Sequence, residues 1–158
     1  MSDNVPMTLE GHATLQEELK NLMRFERPKV VKDIEIARGH GDLSENAEYD
    51  AAKDRQGMIE GRIRDLSDKL ARAQVIDVAQ ISSDKIVFGA KVTMLDVDTE
   101  VEVTYQLVGE DEANLKLGKI SVTSPVGRAL IGHQVDDEVR IKVPSGTKVY
   151  EIIDIVYE

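Results

Sequence analysis

The sequence has 158 residues, a net charge of −10 and no cysteine. This length fits one full domain or two small ones and is too short for a large barrel enzyme. The lack of cysteine excludes disulfides, thiolate nucleophiles and cysteine-based zinc sites, and the acidic balance disfavours binding to duplex DNA through its phosphates. No segment approaches the roughly 18 apolar residues of a membrane span. We therefore expect a cytoplasmic, monomeric protein whose partner is another protein.

The first half of the chain, from Leu9 to about Val75, predicts two amphipathic helices. It is rich in Ala, Leu, Glu, Lys and Arg, and its apolar residues recur at the spacing of one helix face. In four pairs of these residues the numbers sum to 89, as in an antiparallel hairpin: Ala37 with Ala52, Val30 with Ile59, Met23 with Leu66, and Leu19 with Leu70. We predict a projecting coiled coil, with a kink or break at Pro28 and close helix approach at the Gly57-x-x-x-Gly61 spacing.

The second half predicts a small β-domain, because the pattern changes to alternation rich in Val, Ile, Thr and Tyr. The predicted strands lie in KIVFGAKVTMLDV, EVEVTYQLVG, ISVTS, EVRIKV and KVYEIIDIVY. VPSGTK has the composition of a hairpin turn, and SPVGRALIG fits a short helix with Ser124 as N-cap and Pro125 at its first position. The chain is thus predicted to be an α+β protein, with a coiled coil over 1–76, a linker over 77–84, and an antiparallel sheet curled over one helix in 85–158.

The turn between the two predicted helices carries the residues best suited to chemistry. Asp42 and Glu45 fit a D-x-x-E capping box, in which Asp42 is the N-cap of the second helix. At the end of a long arm, the same carboxylates could instead enter a partner's cavity. Mg²⁺ is held by one or two carboxylates together with waters and phosphate oxygens, so the pair could complete a metal site whose other ligands come from the partner. Both interpretations stay open at this point.

Three longer segments resemble one protein family. GDLSENAEYDAAK at the turn, RPKVVKDIEIAR before it and ISVTSPVGRALIG in the second half are similar to the Gre family of bacterial transcript-cleavage factors, and the resemblance spans nearly the whole chain. It implies a coiled coil that enters the secondary channel of bacterial RNA polymerase and an FKBP-like domain that docks at the channel rim. It also implies that the factor rescues polymerase that has backtracked and extruded the 3′ end of its RNA.

The resemblance implies roles for individual residues. Asp42 and Glu45 would help to hold a weakly bound Mg²⁺ in the polymerase active site and orient the attacking water. Polymerase would then cleave the RNA, and the factor would not itself be an enzyme. Arg38 and Lys53 match basic positions that contact the extruded RNA 3′ end. Arg55 fits either this contact or an ion pair on the arm surface.

The resemblance also places a polymerase-docking surface in the second half, at Ser121, Ser124 and Pro125, and a helix cap explains these residues as well. Two alternatives for function stay open. A channel-binding inhibitor would keep the same fold with the opposite effect, and the intact acidic pair favours cleavage over inhibition. A coiled-coil chaperone with prolyl isomerase activity would need an apolar tip and an aromatic-walled pocket, whereas this tip is mostly polar and acidic.

Overall fold

The computed structural model describes residues 4–40 and 46–158, which divide by their contacts into two units. The helical unit comprises His12–Ala73, and the sheet unit combines Met1–Gly11 with Gln74–Glu158. The division after Ala73 lies close to the predicted end of the first domain at residue 76. The first residues of the chain, up to Gly11, group with the second half, whereas the sequence alone places them with the helices.

Three helices and one wide turn form what we call the arm. They are α1 (Leu9–Asn21), a π-helical turn (Leu22–Glu26), α2 (Arg27–Arg38) and α3 (Ala47–Ala71). Helix α2 packs along α3. Their buried residues recur every three or four positions and define one seam: Val30, Ile34 and Ala37 on α2, and Ala52, Ile59, Ile63 and Leu66 on α3. Val30, Ile59 and Ile63 form one cluster, which confirms the predicted helical hairpin on this side of the π-helical turn.

The π-helical turn explains where the predicted pairing fails. Arg27 N–H donates to the carbonyl of Leu22, five residues back, and this wide turn directly precedes Pro28, which has no N–H to donate. Arg27 keeps helical dihedral angles, so the backbone continues through the proline with one extra residue in the turn. An extra residue rotates the side chains before it by about 100°. Met23 is consequently 46% exposed while Leu22 packs on the seam cluster, and the predicted pairing of Met23 with Leu66 is wrong.

The sheet unit contains a small and a large sheet. Strands β1 (Val5–Thr8) and β2 (Ala73–Ile76) form a two-stranded sheet. The main sheet has five strands: β3 (Lys91–Asp96), β4 (Glu102–Val108), β5 (Lys119–Ser121), β6 (Glu138–Val143) and β7 (Gly146–Val156). Their spatial order is β5-β4-β3-β7-β6, and neighbours are antiparallel except for β4 and β5. That edge pair is parallel because two 3₁₀ turns, Glu110–Glu112 and Leu115–Leu117, carry the chain back before β5 begins.

The core of the sheet unit combines one face of the main sheet with α4 (Pro125–Leu130). Its buried members include Val92 and Met94 on β3, Leu107 on β4, Leu130 on α4, Val139 and Ile141 on β6, and Ile152 on β7. Alternate residues along β3 are buried, as expected for a strand with one covered face. The short helix begins as predicted, with Ser124 as N-cap and Pro125 in its first turn. The predicted linker contains a 3₁₀ turn, Val78–Gln80, in which Val78 is buried.

One carboxylate fastens the end of β1 to the rest of the sheet unit. Glu112 accepts hydrogen bonds from the N–H groups of Thr8 and Gly109, both at 3.1 Å, and from the Thr8 hydroxyl. The Thr8 hydroxyl oxygen accepts from Gly11 N–H at 3.0 Å and so caps the first turn of α1. A Cβ on Gly11 would lie 2.2 Å from Glu112, and a Cβ on Gly109 would lie 2.4 Å from the carbonyl of Pro6. The backbone contact requires glycine at position 109, whereas a larger residue at position 11 would require the Glu112 side chain to shift.

Candidate functional site

The predicted catalytic pair lies between α2 and α3 in the sequence. Asp42 and Glu45 fall outside the described residues, and the structure describes the site from the residues on either side of them. Across residues 4–40 and 46–158, no group of three or more His, Cys, Asp or Glu residues could hold a metal ion. The described ends of the turn are His40, after α2, and Asn46, before α3.

Asn46 caps α3 and also contacts the end of α2. Its Oδ1 accepts a hydrogen bond from Tyr49 N–H at 3.0 Å, and its Nδ2 donates to the carbonyl of Ala37. The residue is only 8% exposed. The predicted N-cap role of Asp42 is therefore wrong, because α3 begins at Ala47 and its N-cap is Asn46. An Asn directly before a helix is itself a capping signal, and the D-x-x-E pattern earlier in the turn obscured it.

The end of α2 is closed by backbone hydrogen bonds and an exposed side-chain pair. Gly39 N–H donates to the carbonyls of Glu35 and Ile36, each at 3.1 Å. His40 Nδ1 lies 3.4 Å from Glu48 Oε2 on α3. When His40 is protonated, this pair is a second link between the two helices beside the turn.

The three basic candidates do not lie on one face of the arm. With 100° per residue, Arg38 and Asp33 fall on opposite sides of the α2 seam, and Lys53 and Arg55 fall on opposite sides of the α3 seam. Ion pairs show which sides of the two helices correspond. Arg55 Nη2 lies 2.9 Å from Asp33 Oδ2 on one side. We call this side the Arg55 flank.

The other side, the Arg38 flank, carries Arg38 and Lys53. It is the side on which Arg27 of α2 pairs with Glu60 of α3, at 2.8 Å. Arg38 and Lys53 are both exposed, and Lys53 Nζ donates to Gln56 at 3.2 Å. The structure therefore places two of the predicted RNA-contacting residues, Arg38 and Lys53, on one flank of the arm and Arg55 on the other.

Two bidentate ion pairs connect the helices of the arm farther from the turn. Arg27 donates from Nε and Nη2 to the two oxygens of Glu60 at 2.8 and 2.9 Å, and Arg62 donates likewise to Glu18 at 2.6 and 2.9 Å. The hydrogen bonds from Arg62 hold the pKa of Glu18 below its ordinary value. Those from Arg27 do the same for the pKa of Glu60. These carboxylates are thus favoured in their ionised form in the folded arm.

The predicted docking residues come together at the turn between β5 and α4. Ser124 Oγ donates to the carbonyl of Ser121 at 2.6 Å and accepts from Gly127 N–H at 3.1 Å. Ser121 Oγ lies 2.7 Å from the hydroxyl of Thr123. Thr123 and Pro125 are exposed. The predicted helix cap is therefore confirmed, and the same hydrogen bonds fix a turn that presents Pro125 at the surface.

Two other sequence patterns have structural explanations. Tyr105, Tyr150 and Tyr157 pack against the core of the sheet unit, a packing role that does not favour an aromatic-walled isomerase pocket. A Cβ on Gly57 would meet nothing within 4 Å, and one on Gly61 would meet only Arg64, at 3.8 Å. The predicted close helix approach at these glycines is wrong, because both lie on the side of α3 away from its seam.

Comparison with known proteins decides the family. The model of the GreA/GreB N-terminal domain, described as "Transcription elongation factor, N-terminal", matches residues 5–75, and that of the C-terminal domain, "Transcription elongation factor, GreA/GreB, C-term", matches residues 81–157. The chain belongs to the GreA/GreB family. As a GreA/GreB-family chain it is similar along its whole length to curated relatives named transcription elongation factor GreA. That of Syntrophotalea carbinolica is 71% identical over 99% of each chain, and that of Pelobacter propionicus is 65% identical over 100% of each.

Solved structures of GreA-type proteins are also similar to this GreA/GreB-family chain. The crystal structure of GreA factor homolog 1 (Gfh1) of Thermus thermophilus is 29% identical, with a TM-score of 0.45 over 97% of this chain and 99% of the other.

Within the described residues, no helix combines the length and apolar character needed to cross a membrane.

Proposed function

We propose that this elongation factor acts on bacterial RNA polymerase by inserting its arm into the secondary channel and stimulating the polymerase's own Mg²⁺-dependent cleavage of backtracked RNA. Removal of the extruded 3′ segment leaves a new 3′ end in register and rescues arrested complexes. The factor completes the polymerase site and is not itself an enzyme. This activity belongs in the bacterial cytoplasm.

The observation that carries the proposal is the joint between the two helices at the tip of the arm. Asn46 links the start of α3 to the carbonyl of Ala37 on α2. Glu45 immediately precedes this joint in the sequence, and Asp42 lies three residues before Glu45. The Asn46 link holds together the two helices from which residues 41–45 extend, and pre-organised supports of this kind favour productive placement of groups that meet a metal and a phosphate.

The chemistry of the two carboxylates fits magnesium. Mg²⁺ prefers hard oxygen ligands and is commonly held by one or two carboxylates plus waters and substrate phosphates. Asp42 and Glu45 would hold the ion jointly with ligands from polymerase and the RNA. Bound there, the ion would help to generate the attacking nucleophile and stabilise the charge on the phosphodiester. The two side chains would also orient the attacking water toward the scissile phosphodiester.

The Arg38 flank supports a contact with the extruded RNA. Arg38 ends α2 beside the turn, Lys53 lies on the facing helix, and both are exposed. Two cations on one side of the arm can contact successive phosphates of a single strand. We assign the RNA to this flank and exclude Arg55 from the contact, because Arg55 lies on the opposite side and pairs with Asp33.

The docking turn supports a second contact, with the polymerase rim. Its hydrogen bonds fix Ser121 and Ser124, and Pro125 is exposed next to them. A rigid exposed turn loses little conformational entropy on binding. We therefore assign rim docking to Ser121, Ser124 and Pro125 and cleavage stimulation to the tip.

The test is RNA length in a stalled, backtracked bacterial elongation complex with Mg²⁺. The wild-type factor should accelerate shortening from the 3′ end, while the double variant Asp42→Ala/Glu45→Ala should still bind polymerase and lose about 10²-fold or more of the stimulation. Competition with labelled wild-type factor measures binding. A wild-type factor that binds and leaves cleavage unchanged or slower would make this chain a channel inhibitor instead.

The assignment of RNA to one flank has its own matched test. Lys53→Ala and Arg55→Ala remove one cation each from opposite sides of the same helix. Lys53→Ala should lower crosslinking of the RNA 3′ end to the arm and weaken cleavage severalfold, since one phosphate contact is lost. Arg55→Ala should leave both near the wild-type value. Equal losses from the two variants would contradict the assignment.

A further inference from the structure

We infer that Asn46 is a positioning residue for Asp42 and Glu45, because its side chain links the two helices between which these residues lie in the sequence. The catalytic part of this inference rests on the proposed function. The structural part, that Asn46 holds α2 and α3 together, concerns the free protein and can be tested without polymerase.

The two hydrogen bonds of Asn46 connect different helices. Oδ1 accepts from Tyr49 N–H at 3.0 Å, within α3, and Nδ2 donates to the carbonyl of Ala37 on α2. Only one orientation of the amide allows both bonds, because the reversed amide would turn its NH₂ toward an N–H and its oxygen toward a carbonyl. One buried side chain thus uses its acceptor on one helix and its donor on the other.

A helix cap alone does not account for this arrangement. Capping of α3 requires only an acceptor for Tyr49 N–H, which Ser, Thr or Asp would also supply. The carbonyl of Ala37 already accepts from His40 N–H at 3.2 Å, so it does not need Asn46 to satisfy it. The bond from Nδ2 therefore adds a link between the helices at the point where the chain enters and leaves the turn.

Small residues beside Asn46 keep α2 and α3 close together at this link. Ala37 and Ala52 are the buried seam residues nearest the turn, with 2% and 3% exposure. Such small side chains let the two helices approach closely enough for one amide to span them. The carbonyl of Asn46 accepts from Asp50 N–H at 3.1 Å, which ties the same residue into the first turn of α3. Asn46, the residue that follows Glu45 in the sequence, is therefore held by both its backbone and its side chain.

The test uses a substitution that keeps the cap and removes the link. Asn46→Ser retains an acceptor for Tyr49 N–H, but its short side chain cannot also reach the carbonyl of Ala37. Asn46→Ala removes both bonds. The same change at Asn21, whose side chain makes no capping hydrogen bond, is the matched control, so Asn21→Ser should behave like the wild type throughout.

In the cleavage assay, Asn46→Ser should bind polymerase normally, require more Mg²⁺ for half-maximal stimulation and lose about tenfold of the stimulation at limiting Mg²⁺. Its effect should disappear in a Glu45→Ala background, since a residue that acts through the carboxylates has nothing to position once they are lost. A purely structural role would instead weaken polymerase binding or thermal stability and would add to the effect of Glu45→Ala.

The free protein provides a second readout. The chain has no cysteine, so Glu35→Cys on α2 and Asp54→Cys on α3 accept a pair of spin labels without background. Asn46→Ser should broaden the distance distribution between the labels, and Asn21→Ser should not. An unchanged distribution together with an unchanged Mg²⁺ requirement would reduce Asn46 to a helix cap and overturn the inference. Failure of the wild type to stimulate cleavage would refute the proposed function and the catalytic part of the inference, while the label distances would still decide the structural part.

Discussion

The arm and the sheet unit are stabilised in different ways. In the sheet unit, strands β3, β4, β6 and β7 and helix α4 contribute side chains to one core, and Val92, Leu107 and Ile152 have no exposed surface. In the arm, α2 and α3 share a single seam, and polar contacts such as those of Arg27 and Asn46 lie beside it. A narrow pair of helices buries one stripe from each partner. At the ends of such a pair, hydrogen bonds such as that from Asn46 to Ala37 set the relative position of the two helices. In the sheet unit the packed core does this instead.

The glycines show the same contrast. In the sheet unit, a Cβ on Gly127 would lie 2.3 Å from the carbonyl of Ser121, and one on Gly109 would lie 2.4 Å from that of Pro6. In the arm, a Cβ on Gly57 would meet nothing within 4 Å. Gly109 and Gly127 thus permit close backbone approach in the sheet unit, whereas Gly57 in the arm leaves room for a larger residue.

The largest expected effect comes from deleting the same atoms in each region. Ile152→Ala in the sheet core should cost about 3–5 kcal/mol of unfolding free energy, since its neighbours enclose it completely. Ile59→Ala, in a seam that can close around the gap, should cost about 2–3 kcal/mol. Urea unfolding followed by circular dichroism measures both. Equal losses would mean that the seam is packed as tightly as the sheet core and would break the comparison.

The next effect tests close packing in the sheet unit. Gly109→Ala should destabilise by about 1–3 kcal/mol, because its Cβ would press on the backbone carbonyl of Pro6, which cannot swing away like a side-chain end. Thermal unfolding measures the loss. Gly132→Ala is a control for backbone strain without a steric clash. A Cβ at Gly132 would meet no atom within 4 Å, so any loss of stability there comes from its φ of +89°. A neutral Gly109→Ala would show that the β1 segment can move away freely.

Much of this architecture follows from local sequence rules. The seam from Val30 to Ala37, the strands and the Ser124 cap were all predictable, because each depends on spacing or on a residue and its immediate neighbours. The parallel pairing of β5 with β4 was not, since it depends on the path of the chain through two short 3₁₀ turns.

The failures have identifiable physical causes. Before the π-helical turn, the residues of the first helix that face α3 shift by one position, because the turn preceding Pro28 contains an extra residue. Pairing by residue number assumes that both helices have 3.6 residues per turn throughout. At the turn, two capping patterns compete, and the sequence does not rank Asp42 against Asn46; the bond from Asn46 to Ala37 is a tertiary contact that helix rules do not contain. Arg55 was left with two interpretations, and its ion pair with Asp33 is a contact between helices that the sequence alone does not show.

A smaller effect, of opposite sign, tests the open glycine of the arm. Gly57→Ala should stabilise the protein by about 0.5–1 kcal/mol, because alanine is the better helix former and loses less backbone entropy on folding. The change should raise the midpoint of thermal unfolding and leave polymerase binding unaltered. Gly61→Ala, with only Arg64 within 4 Å, should do the same. Destabilisation by both would indicate that this face of α3 contacts something in the folded protein.

The smallest effect concerns the ion pair between Glu18 and Arg62, and its pH dependence has a definite sign. Arg62 holds the pKa of Glu18 below its ordinary value, so the pair stabilises the folded state at pH values above the ordinary pKa of a glutamate. This contribution is lost as the pH falls through the lower folded pKa. Both side chains are 38% exposed, so screening by solvent limits the pair to about 0.5 kcal/mol.

Glu18→Gln measures this contribution with little change of shape. At pH 7 the variant should be slightly less stable than the wild type in urea, and the difference should shrink toward pH 3 and in high salt. A difference that persists unchanged at pH 3 would point to lost packing of the side chain. A loss well above 1 kcal/mol at pH 7 would mean that the flanks of the arm carry much of the stability assigned here to the seam, and the contrast with the sheet unit would then rest on charge as well as on packing.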